Sequence, residues 1–142
     1  MKKFFAGLTL LFTLPAHPCT LAANLKGATW VDNFKTAQMV MTGHIVKKTK
    51  ATGGTYTLEI KVNKAWKGKP AKTVRVTTRA PSTCDSFGDV VEVEQGCLLF
   101  LDTKNEVISG LTEGESSFCL PPDAPRWRKL PAELEAKLKI KK

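Results

Sequence analysis

The most regular stretch of the chain runs from Tyr56 to Arg79. Tyr56, Leu58, Ile60, Val62 and Trp66 fall on even positions and alternate with Thr57, Glu59, Lys61 and Asn63. A period of two over this length predicts a strand with one face in a core and the other in water. Lys67-Gly68-Lys69-Pro70 interrupts it, and Val74, Val76 and Thr78 resume the inward set while Arg75, Thr77 and Arg79 point outward. Upstream, Trp30, Val31, Phe34 and Ala37 sit at helical spacing and predict a short amphipathic helix. Met39, Val40, Met41, Ile45 and Val46 then form an apolar strand interrupted by Gly43, the mark of a bulge or a close backbone approach. Ala51-Thr52-Gly53-Gly54 reads as the hairpin connection between the two strands.

Downstream, Val90, Val91 and Val93 predict the start of another strand, after a loop from Pro81 to Asp89. Cys97-Leu98-Leu99-Phe100-Leu101 is apolar at every position and predicts a central strand covered on both sides. Val107, Ile108 and Leu111 predict the last strand. Leu130, Leu134 and Leu138 recur at helical spacing, so a C-terminal helix is expected over Pro131 to Lys139, docked or frayed. Five or six short strands with one early and one late helix define an all-β-dominated chain. A small antiparallel barrel is favoured over a sandwich, because closure gives every strand two neighbours.

The amino terminus has a different pattern. Lys2 and Lys3 precede an apolar run from Phe4 to Leu14, then a Pro-containing stretch and small residues at Ala22 and Ala23. This is the layout of a secretory signal peptide, and the run is shorter than the roughly 20 residues of a membrane span. The expected organisation is a cleaved signal over 1–23, a barrel over 24–120, and a Pro-rich basic tail with a short helix over 121–142. A cut after Ala16 and lipidation at Cys19 are the alternatives. The mature protein is expected to be exported, periplasmic or secreted, with no transmembrane segment.

Net charge is +9, and loss of Lys2 and Lys3 lowers it to +7. A basic exported domain suits acidic surfaces such as glycans or lipid head groups, although scattered Lys also simply solvates a surface. Cys84, Cys97 and Cys119 allow one bridge and one thiol, and Cys19, if retained, would allow two bridges. No Cys-x-x-Cys spacing occurs, and His17 and His44 are the only histidines. No metal or cofactor site is expected.

Two ordered motifs bear a resemblance. Ala37-Gln38-Met39-Val40-Met41-Thr42-Gly43-His44-Ile45-Val46 resembles the opening strand of the netrin-like branch of the OB-fold, and in particular bacterial relatives of the tissue inhibitors of metalloproteinases. Val62-Asn63-Lys64-Ala65-Trp66-Lys67-Gly68 resembles that family's Val-x-x-x-Trp-Lys-Gly, and Cys84, the Leu98–Leu101 strand and Cys119 follow in its order. The resemblance spans roughly Trp30 to Cys119. It implies a netrin-like OB barrel and a non-catalytic binding module with a protein partner, a protease among the candidates. The family's zinc-chelating element, a mature amino-terminal cysteine, has no counterpart, since Cys19 is followed by Thr20 and Leu21. Cys84 and Cys119 are the first expectation for the disulfide, worth roughly 3–4 kcal/mol by loop entropy, with Cys97–Cys119 as competitor. In the first case Cys97 is a buried thiol.

The candidate binding surface comprises Lys61, Arg75 and Arg79 on the outward strand positions and Arg126, Trp127 and Arg128 in the tail. Trp127 has a second reading, as the residue that packs the tail on the barrel. Nucleic acid is disfavoured, because Tyr56 and Trp66 lie on the inward set and leave no stacking platform beside the outward cations. Asp85, Asp89, Glu92 and Glu94 read as solvating charges, and His44 has no identifiable acid or nucleophile. With no hydrolase, metalloprotease or nucleotide-binding signature, no enzyme is expected. A basic envelope protein binding anionic glycan or lipid is the alternative function.

Overall fold

The computed structural model describes residues 29–79, 87–108 and 116–139. The expected signal over 1–23, Cys19, Cys84 and Leu111 lie outside them. Within them the elements are α1 (Trp30–Thr36), β1 (Met39–Lys50), β2 (Tyr56–Lys67), β3 (Thr73–Thr77), α2 (Phe87–Val90), β4 (Gly96–Leu101), β5 (Phe118–Leu120) and α3 (Arg126–Leu138). The five strands form one antiparallel sheet in the order β3-β2-β1-β4-β5. A 3-10 turn over Thr52–Gly54 joins β1 to β2, with Gly53 and Gly54 at φ 73° and 77°.

The sheet has a core on each side. Met41, Ile45, Leu58, Ile60, Val74 and Val76 build one with Cys97, Leu99 and Leu101. The alternate β4 residues Leu98 and Phe100 enter the other, with Trp30, Ala37, Val40, Leu130 and Leu134. β4 is therefore the doubly covered strand that its unbroken apolar run predicts. The inward set Val74, Val76 and Thr78 is buried, and Arg75, Thr77 and Arg79 are exposed, as the alternation requires.

α1 begins with a capping box in which Thr29 Oγ1 accepts from Asp32 N–H and Asp32 accepts from Thr29 N–H at 3.1 Å. The Thr29 N–H and the Thr29 hydroxyl both donate to the Asp32 carboxylate and hold it below the ordinary aspartate range. At its other end, Lys67 Nζ donates to Phe34 O and Lys35 O at 2.8 and 3.2 Å, placing a cation on the helix's exposed carbonyls.

Several expectations are corrected. The ladder of five strands is open, with β3 and β5 at its ends. Among the described residues, two isolated bridges, Thr77–Glu106 and Leu101–Val107, with hydrogen bonds from Val107 N to Thr77 O and from Ile108 N to Phe100 O, tie the 106–108 segment to β3 and β4. Val107, expected in a last strand with Ile108, makes an isolated bridge, and Ile108 lies beyond it. Val90 ends the short helix α2, and Val93 lies in a turn in which Glu94 has φ 74°. α3 starts five residues before Pro131 and contains it. Burial of Leu130 and Leu134 offsets the interior proline's cost of about 3 kcal/mol, and the tail is docked rather than frayed.

The disulfide joins Cys97 to Cys119, not Cys84 to Cys119. The reason is the pairing of a short strand that the sequence does not announce. β5 aligns on β4 with Cys119 directly opposite Cys97, at a Cα separation of 4.1 Å. Cys97 is accordingly half of the bridge and not a buried thiol.

Gly43 meets both sequence expectations. β1 and β2 shift register between Thr42 and Gly43, and a Cβ on Gly43 would lie 2.5 Å from Lys61 O and 2.7 Å from Ile60 Cγ2. Gly43→Ala is expected to destabilise by about 1–3 kcal/mol, read as a lower denaturant midpoint at unchanged slope. The paired substitution Cys97→Ala with Cys119→Ala should remove roughly 3 kcal/mol, and peptide mapping of the unreduced protein should recover a Cys97–Cys119 fragment.

Candidate functional site

A cleft of about 550 Å³ opens on the outer face of β2, β1 and β4, beneath the first half of α3. Its floor is low because two glycines meet there: Gly43 lies opposite Cys97, and His44 opposite Gly96. Thr42, His44, Asn63 and Glu94 supply polar groups, and Trp66, Trp127, Leu130, Pro122 and Pro131 supply apolar walls.

Trp66 reaches this face through two irregularities. β2 shifts register against β1 once between Val62 and Lys64 and again between Ala65 and Lys67. One extra residue exchanges the two faces of a strand. Leu58, Ile60 and Val62 pack in the first core, whereas Trp66 packs with the second, on the other side of the sheet. The expected inward position of Trp66 beside Leu58 and Ile60 is corrected accordingly. Lys64 follows it, with Nζ 3.8 Å from the Trp66 ring centroid and 4.0 Å from Glu135 Oε1. The Trp66 Nε1–H is buried and makes no hydrogen bond.

Trp127 forms the facing wall. Its Nε1–H donates to Pro121 O at 3.0 Å, and its ring stacks on Phe118 at 5.8 Å between centroids. A Cβ on Gly96 would lie 3.0 Å from two atoms of the indole, so a side chain there would press the ring outward by a few tenths of an ångström. Trp127 is therefore the residue that packs the tail on the sheet, and it walls the cleft as well. The side chains of His44, Asn63 and Glu94 make no hydrogen bond or ion pair among the described residues.

The predicted basic surface is divided. Arg75 pairs with Glu59 at 3.5 Å and Arg79 with Glu106 at 3.0 Å, leaving Lys61 exposed between His44 and Thr73 on the adjacent strands. Arg126 stacks over Phe118 at 4.4 Å, whereas Arg128 is exposed on α3. Surface pairs of this kind are individually worth little, but Glu59 and Glu106 cancel the charges of Arg75 and Arg79 that a polyanion would meet.

One further feature adjoins the cleft. Val46, Val90 and Val93 are 41%, 64% and 44% exposed. Ile45 and Glu94 bring β1 and the turn together by backbone hydrogen bonds, Glu94 N to Ile45 O at 2.8 Å and Ile45 N to Gln95 O at 3.0 Å. α2 is tied to the same corner by Lys48 Nζ, which donates to Val91 O at 2.7 Å. Sequence reading assigned all three valines to strands, where such residues are half-buried. No sequence signal separates them from the buried Val40 and Val91, which likewise lack apolar neighbours two positions away on both sides.

Among the described residues no group of three His, Cys, Asp or Glu side chains is placed to hold a metal ion, and no helix is long and apolar enough to cross a membrane. No family model matches the chain, and no curated protein matches it.

Tyr56 fixes α2 against β2, its hydroxyl donating to Asp89 Oδ1 at 3.0 Å. That hydrogen bond to a carboxylate raises the phenol above the ordinary tyrosine value. A raised value means that the contribution is whole below the ordinary value and is lost as pH climbs through the raised one. Tyr56 is the single tyrosine, so tyrosinate absorbance should titrate late in the folded protein and return to the ordinary range in Asp89→Asn.

Proposed function

We propose that this protein is an exported, non-catalytic binding module that engages a protein partner through its apolar corner. The observation that carries the reading is the exposure of Val46, Val90 and Val93 on β1, α2 and the following turn, joined by the backbone bonds of Ile45 with Glu94 and Gln95 and by the Lys48 bond to Val91 O. Apolar side chains left exposed on neighbouring segments are what a protein partner covers. The fold proposed for the module is a netrin-like OB barrel. The Thr77–Glu106 and Leu101–Val107 bridges support closure, since they run between the β3 end of the ladder and β4. The order of the Ala37–Val46 and Val62–Gly68 motifs supports the relation to the metalloproteinase inhibitors.

The Cys97–Cys119 bond agrees with an oxidising compartment, and the 1–23 pattern supports export. Without an amino-terminal cysteine pair, the module would hold a partner, a protease included, by surface contact and not by chelating a catalytic zinc. The second reading, an anionic glycan or lipid as ligand, draws on the net charge of +9 and on exposed Lys61 and Arg128.

Co-purification from envelope and secreted fractions under native conditions should return one protein at near-stoichiometric yield. Val90→Asp and Val93→Asp should each weaken that complex at least about tenfold at unchanged melting temperature. Recovery of no partner, or a complex indifferent to both substitutions, overturns the reading. A complex that dissolves between low and high salt transfers support to the anionic ligand.

A further inference from the structure

The cleft beside α3 asks for a ligand of a different kind from the apolar corner. Its walls are indole, proline and leucine, whereas its floor carries an imidazole, a carboxamide and a carboxylate, His44, Asn63 and Glu94, with no partners among the described residues. Each of those groups accepts a hydrogen bond, and two of them can donate as well. A ligand matched to this surface has an apolar face and a rim of hydroxyl groups.

The backbone at the rim adds a second observation. Glu94 has φ 74°, in the left-handed region that a non-glycine residue adopts only at a cost. Glu94 is nevertheless one of the residues that line the cleft. Strain of this sort is retained where the placement of a side chain matters more than the comfort of its backbone.

Two competing ligands fit worse. A proline-rich peptide is read by indole N–H groups that donate to its carbonyls. Here Trp127 Nε1–H is already given to Pro121 O and Trp66 Nε1–H is buried, so neither is offered at the surface. The unpaired Glu94 carboxylate would also face peptide carbonyls with no donor between them. A phosphate or sulfate meets one cation in the cleft, Lys64, which already faces Trp66 and Glu135, and meets Glu94 as a like charge.

We infer that the cleft is a binding site for an uncharged saccharide. One pyranose ring would lie against the Trp127 wall, next to Trp66 and the Lys64 that covers its ring, and offer its hydroxyls to Asn63, His44 and Glu94. The site lies on the α3 side of β2, β1 and β4, apart from the paired cations Arg75 and Arg79, and the inference does not rest on the protein-partner reading.

The test is a titration of the whole mature protein with maltose, cellobiose and N,N′-diacetylchitobiose, with a heparin disaccharide and decaproline as comparators. Binding is read by calorimetry and by the indole N–H resonances. At least one uncharged disaccharide should bind with Kd on the order of 1 mM, insensitive to salt. It should shift the Trp66 and Trp127 resonances and leave that of Trp30, buried in the second core, in place. Asn63→Ala and Glu94→Gly should each weaken binding about tenfold, the worth of one lost hydrogen bond to a polar ligand. Glycine adopts φ 74° freely, so Glu94→Gly should hold or raise the melting temperature, which separates lost binding from lost folding. The inference is overturned if none of the three disaccharides binds, if binding survives both substitutions, or if only the heparin disaccharide or decaproline binds.

Discussion

Everything in this fold is arranged around a strand that has no wet side. From Cys97 to Leu101 every side chain of β4 is fully buried, and alternate residues enter different cores. Five apolar side chains buried together contribute on the order of 10 kcal/mol of transfer free energy, comparable to the whole net stability of a small domain. The sheet alone can cover one face by coiling on itself. The other face needs helices, which is why α1 and α3, from opposite ends of the described chain, meet over Leu98 and Phe100. Loss of either helix would leave half of β4 exposed to water.

Legibility in the sequence followed periodicity. β2 up to Val62, β3 and β4 declare themselves because alternation or its absence is unambiguous over five or more residues. α1 does so through Trp30, Phe34 and Ala37. Failures fell where a segment is too short for a period to be seen. β5 has three residues and exists because Cys119 and Phe118 align on Cys97 and Leu98. Three valines with β-branched side chains, Val90, Val91 and Val93, suggested a strand, yet tertiary contacts keep only Val91 inside. The Cys97–Cys119 pairing was visible as an alternative, and only strand register decides it.

The site was less legible than the fold, for a geometric reason. Its floor depends on where alternation breaks, and a bulge transfers every later residue to the opposite face. Asn63, Lys64 and Ala65 are three consecutive positions without a large apolar residue, and this lapse marks the bulge after the fact. Counting parity through it sent Trp66 to the wrong side. Charge misled in a similar way. Arg75 and Arg79 are outward as expected, but Glu59 and Glu106 stand beside them, and only cross-strand and loop geometry brings those pairs together.

The wall of the cleft and the covalent bond belong to one closed circuit. Cys97 is bonded to Cys119, and two residues on, Pro121 O accepts the Trp127 indole N–H. That indole rests over Gly96, the residue before Cys97. A disulfide, a hydrogen bond and a glycine vacancy thus fix one aromatic ring relative to β4, independently of how the rest of α3 packs. Trp127 sits in the first turn of α3, ahead of Pro131, where the proline's missing N–H weakens continuity with the turns that carry Leu134. Rigid positioning from the β4 side and loose coupling to the later helix give the cleft a fixed aromatic wall. A surface of that kind loses little entropy on binding, which is what separates a built site from an incidental groove.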